Sequence, residues 1–245
     1  MKNIRSSVVI GILLAAWPAS VARAELSAGQ ILTRSDAVRL PDGDFKVETK
    51  VISTKAGKED VTTYEALVKG RDRTLIKTLS PATERGTSVL MVDHDLWVFL
   101  PDVSKPIRIS LQQRLVGEVS NGDLARMNFD GDYAPRLVEN KPTFYKLDLI
   151  AKREDVTYGR IGLWVAKKTF RPLKATFYAA SGRLLKVGSY EDYRMLGGAM
   201  RPGRLVLTNA VEKDRLSTIY YSDMHDEGSL PEKYFTKDYL KKFKY

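Results

Sequence analysis

Between Arg71 and Ser110 the chain reads RDRTLIKTLSPATERGTSVLMVDHDLWVFLPDVSKPIRIS, four short runs rich in Leu, Ile, Val, Phe or Trp. They are cut apart by Ser80-Pro81, Glu84-Arg85-Gly86, Asp93-His94-Asp95 and Pro101-Asp102. β-formers alternating between breakers at this spacing indicate an antiparallel meander. The hairpin around Asp93-His94-Asp95 constrains the fold further. With a two-residue turn, Leu90, Val92, Trp97 and Phe99 share one face, while Val89, Met91, Leu96 and Val98 share the other. Both faces are apolar. This part of the sheet must be covered on both sides, or covered on one and bind something apolar on the other.

The flanking runs are simpler. Phe45, Val47, Thr49 and Val51 oppose Lys46, Glu48 and Lys50, and Tyr64, Ala66 and Val68 alternate with Glu65, Leu67 and Lys69. One apolar and one largely charged face describe an antiparallel sheet with one side in water. Ahead of them, Glu25 to Leu40 reads as a helix capped by Ser27 and stopped by Pro41-Asp42-Gly43. Residues 111–133 break the strand pattern. Asn121-Gly122-Asp123 is expected to start one short helix through Met127, with Asp130-Gly131-Asp132 ending it. Leu115, Val116, Leu124, Met127 and Phe129 ride on this otherwise polar, glycine-rich connection, and connections of such length often serve as lids. Alternation resumes at Phe144, with Tyr145, Leu147 and Leu149 on one side, and Ile161, Leu163 and Val165 later oppose Gly162, Trp164 and Ala166. Further strands are expected over Leu173–Tyr178, Leu184–Tyr190, Leu205–Val211 and Leu216–Tyr221. Turns are expected at Ser181-Gly182, Gly197-Gly198 and Pro202-Gly203, and a short helix follows Phe235, with Thr236 as its cap. About eleven strands with two or three helical pieces suggest one curved sheet or partial barrel. No linker or repeat divides residues 25–245, which read as a single domain.

The first two dozen residues stand apart. Lys2 and Arg5 precede the apolar run Val8–Trp17, and Ala22-Arg23-Ala24 supplies a cleavage site, the pattern of a secretory signal peptide over residues 1–24. The rival is a membrane anchor, which needs about 20 apolar residues. No Cys follows to carry a lipid or a disulfide, so stability is expected from the core alone. Removing Lys2, Arg5 and Arg23 from the 40 basic residues leaves 37 against 30 acidic ones. The excess is spread along the chain, as on a solvated surface; the alternative is weak attraction to anionic headgroups or an acidic partner. An exported chain is not expected to meet nucleic acid.

Catalysis has little to draw on. There are two His and no Cys. His94 between Asp93 and Asp95 raises a metal site, but the spacing better fits a hairpin tip that stays in water. His225, within Asp223-Met224-His225-Asp226-Glu227, reads the same way. No G-x-S-x-G context and no phosphate loop appears, and no carboxylate pair suggests a hydrolase of envelope polymers. No cofactor, metal or catalytic residue is expected. The aromatics in strands, Trp97, Phe99, Tyr145, Trp164, Phe177 and Tyr178, are either core or the wall of a cavity for acyl chains. Each methylene buried there would gain roughly 0.8 kcal/mol.

Several short motifs occur in a familiar order: Arg73-Thr74-Leu75-Ile76, Ser80-Pro81-Ala82, Arg85-Gly86-Thr87, Leu96-Trp97-Val98-Phe99-Leu100-Pro101 and Arg108-Ile109-Ser110. They are followed by Ser120-Asn121-Gly122-Asp123-Leu124-Ala125-Arg126, Val156-Thr157-Tyr158, Leu163-Trp164-Val165 and Phe177-Tyr178-Ala179-Ala180-Ser181-Gly182. Together they resemble the LolA-like outer-membrane lipoprotein-sorting proteins, in a subfamily associated with resistance-nodulation-type exporters. The resemblance implies a mainly β open half-barrel of about eleven antiparallel strands, with a few helices covering its concave face. It also implies a periplasmic carrier, expected to be a monomer, that moves a lipid or lipoprotein acyl chain from an inner-membrane transporter towards the outer membrane, with transient membrane contact. A lipid or lipoprotein sensor regulating a membrane partner is the alternative. On the Trp97 face of the hairpin and the most apolar faces elsewhere, the expected cavity residues are Leu90, Val92, Trp97, Phe99, Leu115, Leu124, Met127, Phe129, Tyr145, Leu147, Leu149, Trp164 and Phe177.

Overall fold

A computed structural model of the chain describes residues 25–126 and 128–242. The signal-peptide expectation and Met127 therefore lie outside the described residues. Ser27 starts the first helix. Its hydroxyl accepts from the Gln30 amide at 3.2 Å, and its own amide donates to the Gln30 side chain at 2.9 Å. This capping box opens α1 (Ala28–Arg39). A six-strand meander follows: β1 (Asp44–Lys55), β2 (Lys58–Lys69), β3 (Arg73–Ser80), β4 (Ser88–Val92), β5 (Asp95–Phe99) and β6 (Ile107–Ile109). The Asp93-His94 turn has two residues, Asp93 sits at φ 56°, and Leu90 pairs with Trp97.

The connection that follows holds a small ribbon, β7 (Arg114–Val116) and β8 (Val119–Ser120), then α2 (Asn121–Ala125) and α3 (Phe129–Asp132). The single helix expected here is thus two short ones. The first ends at Arg126, whose amide donates to Gly122 O, and Asn128 caps the second, its side chain accepting from the Gly131 amide. The second meander contains β9 (Tyr133–Asn140), β10 (Phe144–Ala151), β11 (Arg160–Ala166), β12 (Pro172–Tyr178), β13 (Leu184–Leu196), β14 (Ala199–Asn209) and β15 (Leu216–Gly228). A 3-10 turn over Glu232–Phe235 and α4 (Lys237–Lys242) follow.

The two meanders form one antiparallel sheet of thirteen strands, in the order β6-β5-β4-β3-β2-β1-β15-β14-β13-β12-β11-β10-β9. It is open, with β6 and β9 as its edges. The strand count rises above eleven partly through β9, whose Pro135 and polar outward residues give little strand signal but are tolerated at an edge. Pro202-Gly203 is not a turn. It lies inside β14, where Pro202 pairs with Tyr193, and the ladder to β15 begins only at Arg204. The missing amide of Pro202 is therefore not needed there.

The sheet has two differently covered faces. On one, Val47, Ile76, Met91, Leu147, Leu163, Phe177 and Leu207 form the main core with Ile31 and Leu32 of α1 and with Leu124 and Phe129 of the connection. On the other, Leu67, Leu75 and Leu90 pack against Leu230, Phe235 and Leu240 of the C-terminal segment. Asp44 pins that segment, accepting from the amides of Leu230 (2.8 Å) and Gly70 (3.0 Å) and from Lys69 Nζ (3.2 Å).

Desolvation works to raise the Asp44 pKa, but those three donors outweigh it and hold the carboxyl below its ordinary value. A depressed folded pKa contributes stability above the unfolded pKa of about 3.9, and that contribution is lost as pH falls towards the folded value. Asp44→Asn is therefore expected to lower the urea midpoint at neutral pH and to flatten the acid limb of the stability profile, measured by circular dichroism.

Candidate functional site

A pocket lies between the helix-covered face of the sheet and the segments α1, α2 and α3. Val47, Phe177, Tyr190, Leu205, Tyr221 and Met224 form its floor, and Arg39, Asp123, Arg126, Phe129 and Asp132 form its roof. Two glycines let these walls approach. A Cβ on Gly188 would stand 2.9 Å from the Phe177 ring, and one on Gly122 would stand 1.9 Å from Thr157 Oγ1. The first gap seats Phe177 beside Tyr158, ring centroids 4.6 Å apart, and the second seats α2 on the loop before β11. The cavity that remains measures about 40 Å³. That admits a few waters, against several hundred Å³ for a typical ligand pocket. The pocket is shut.

Charge enters the roof only in pairs. Arg39 meets Asp36 at 2.7 Å, and Arg126 meets Asp132 through Nε and Nη2, both at 2.6 Å. Lys186 meets Asp123 at 2.6 Å. None of these six side chains is more than 6 % exposed, so each charge depends on its partner. The remaining polar capacity is also used. Asp36 accepts from the Asp130 amide (2.8 Å), Arg126 donates to Asp93 O (2.7 Å), and Tyr158 donates to Asp123 (2.5 Å). The Arg39 guanidinium lies over the Phe129 ring, 3.6 Å from its centroid.

Burial pushes the Asp36 carboxyl up, against the pull of Arg39 and the Asp130 amide. Burial would lower Arg39, but Asp36, Tyr190 and Tyr221 outweigh it and raise it. Burial also raises Tyr133, Tyr158, Tyr190 and Tyr221, which stay protonated. His94 departs from the solvated hairpin tip expected of it. Its ring is 11 % exposed, with Nε2 3.2 Å from Asp132 and Nδ1 2.8 Å from Asp93, because α3 packs against the turn.

Of the residues singled out in the sequence, Phe129 and Phe177 line the pocket. Leu124, Leu147 and Leu149 are buried in the same core, and Leu115 and Tyr145 pack at its margin. Tyr145 also borders a surface cleft with Arg34, Lys167 and Phe170. Leu90, Val92, Trp97 and Phe99 lie on the opposite face with the C-terminal segment, and the hairpin turns Val89, Met91, Leu96 and Val98 towards the main core. Trp164 also points away from the pocket, flanked by Lys146 and Lys174 at 4.9 and 5.3 Å. Those two lysines are its cross-strand partners, and they mark the wet face. The polar lining escaped the sequence reading. Tyr190 carried a usable signal, since it lies between Ser189 and Glu191 on its strand; Tyr221, which follows Ile219-Tyr220, and the buried ion pairs carried none.

A family model described as "-like: Uncharacterized protein" matches residues 70–242. The chain is 43% identical to the LolA superfamily protein NE2245 from Nitrosomonas europaea, covering 88% of this chain and 100% of that one, with a TM-score of 0.83. A domain from Vibrio parahaemolyticus described as an outer membrane lipoprotein-sorting protein shares 22% identity, over 87% of this chain and 98% of its own, at TM-score 0.74. A DUF1329 family protein from Desulfovibrio piger shares 24% identity over 87% and 97%, also at TM-score 0.74. At these lower identities the likeness is one of fold. No curated protein matches the chain.

Removing one member of a buried pair strands the other. Lys186→Met is expected to cost about 3–5 kcal/mol in urea unfolding, and Lys186→Met combined with Asp123→Leu to recover only part of that loss, because the Tyr158 hydroxyl and Ser120 amide lose their acceptor.

Proposed function

The chain belongs to the LolA superfamily, and we propose that it is a periplasmic carrier of a lipid or lipoprotein acyl chain. In this reading residues 1–24 are a cleaved signal peptide and residues 25–245 one binding domain. The fold is that of binding and carrier proteins rather than of a catalytic family. The supporting observation is the apolar pocket under a roof of helices, walled by Val47, Phe177, Leu205 and Met224.

At about 40 Å³ the pocket takes up a chain only after the roof moves. α1 and α3 are joined to each other, by Thr33 Oγ1 to Asp130 Oδ2 and by the Asp130 amide to Asp36, both at 2.8 Å. α2 is held to the sheet by Thr74 Oγ1 to Ala125 O (2.9 Å) and by Lys186 to Asp123. α1 and α3 therefore lift as one body. Lifting gives up Arg201 to Ala37 O (2.8 Å), Arg126 to Asp93 O, Asp132 to His94, and the Lys152 hydrogen bonds to Asp130 O, Gly131 O and Asp132 O. The cargo passes from an inner-membrane transporter of the resistance-nodulation type towards the outer membrane.

Native mass spectrometry of protein purified from the periplasm, with organic extraction, is expected to show a stoichiometric lipid or acylated peptide. Leu205→Trp, which fills the cavity floor, is expected to reduce that load while the fold remains. A ligand-free mass that persists after incubation with envelope lipids would sink the carrier reading in favour of a sensor or adaptor.

A further inference from the structure

We propose that the pocket selects amphiphiles whose polar group is uncharged, an alcohol, ester or amide, and rejects those that carry a carboxylate or phosphate. The proposal rests on the carrier reading and narrows its ligand class.

Three buried ion pairs stand in the roof and behind it, Asp36–Arg39, Arg126–Asp132 and Lys186–Asp123, with Asp93 and His94 beside the second. The first pair lies within α1 and moves with it, and the second joins Arg126, at the end of α2, to Asp132 of α3 through two hydrogen bonds. The third is fixed to the sheet. Its lysine also donates to Glu118 O at 2.5 Å, and its aspartate also accepts from Tyr158. The face of Arg39 is covered by Phe129. A ligand charge delivered here finds no opposite charge in excess, and it must displace an internal carboxylate or remain buried and unpaired.

Neutral donors are available. Tyr190 and Tyr221 line the pocket, and neither hydroxyl hydrogen-bonds to another described residue. A phenol facing the pocket can donate to an ester carbonyl, amide or alcohol oxygen, and that pairing imports no charge.

The test compares three chain-matched ligands, dodecanol, methyl laurate and laurate, binding to the purified mature protein below their aggregation thresholds. At alkaline pH the alcohol and ester are expected to bind at least about tenfold tighter than laurate. Laurate should gain affinity as pH falls and its carboxyl protonates. Asp36→Asn, which leaves Arg39 without its carboxylate, should shift the preference at least about tenfold towards laurate. Tyr190→Phe should weaken the alcohol and the ester by removing a donor, and it gives a readout if the Asp36 variant fails to fold. Laurate binding as tightly as the neutral pair at alkaline pH would overturn the selectivity and leave the carrier standing. Failure of all three ligands to bind would overturn both.

Discussion

The pairing of β1 with β15 is the contact on which the rest of the molecule depends. It joins strands from opposite ends of the chain, with Thr49 opposite Tyr221 and Val51 opposite Ile219. Without it the protein is two meanders, each with an exposed apolar face. With it the floor of the pocket becomes continuous, Val47 arriving from the first meander and Phe177, Tyr190 and Leu205 from the second. Such a contact carries a large loop-closure cost, so it is expected to form after the local hairpins. The pocket is accordingly a product of late assembly.

Much of this architecture is legible in the residues. Ser27 and Gln30 announce the first helix, and Leu90, Trp97 and the two-residue turn announce their hairpin, because these signals are local. β9 is harder to read, since an edge strand can hold Pro135 and half-polar alternation without penalty. Pro202 misleads for a related reason: whether a proline breaks a strand depends on which neighbour needs its amide, and that is settled by β15.

The faces of the sheet show where pattern reading stops. The hairpin is apolar on both sides, and composition does not say which side receives α1 and which receives Phe235 and Leu240. Trp164 looks like core by type and is surface by register, its ring serving as a platform for Lys146 and Lys174. The ionic pairs are less visible still. Asp123 and Lys186 are distant in sequence and ordinary in context, and only the folded sheet makes them a buried unit.

In the proposed opening, polar ties and apolar surface are released together. The ties made by Arg201, Arg126, Asp132 and Lys152 all involve charged groups and are worth about 1.5–3 kcal/mol each. Ile31, Leu32 and Phe129, all buried, contribute about 1.5–3 kcal/mol apiece. The closed state is therefore held by both, and the share that comes from excluding water from apolar surface fades on cooling. A roof of this kind has a heat-capacity signature and loosens in the cold.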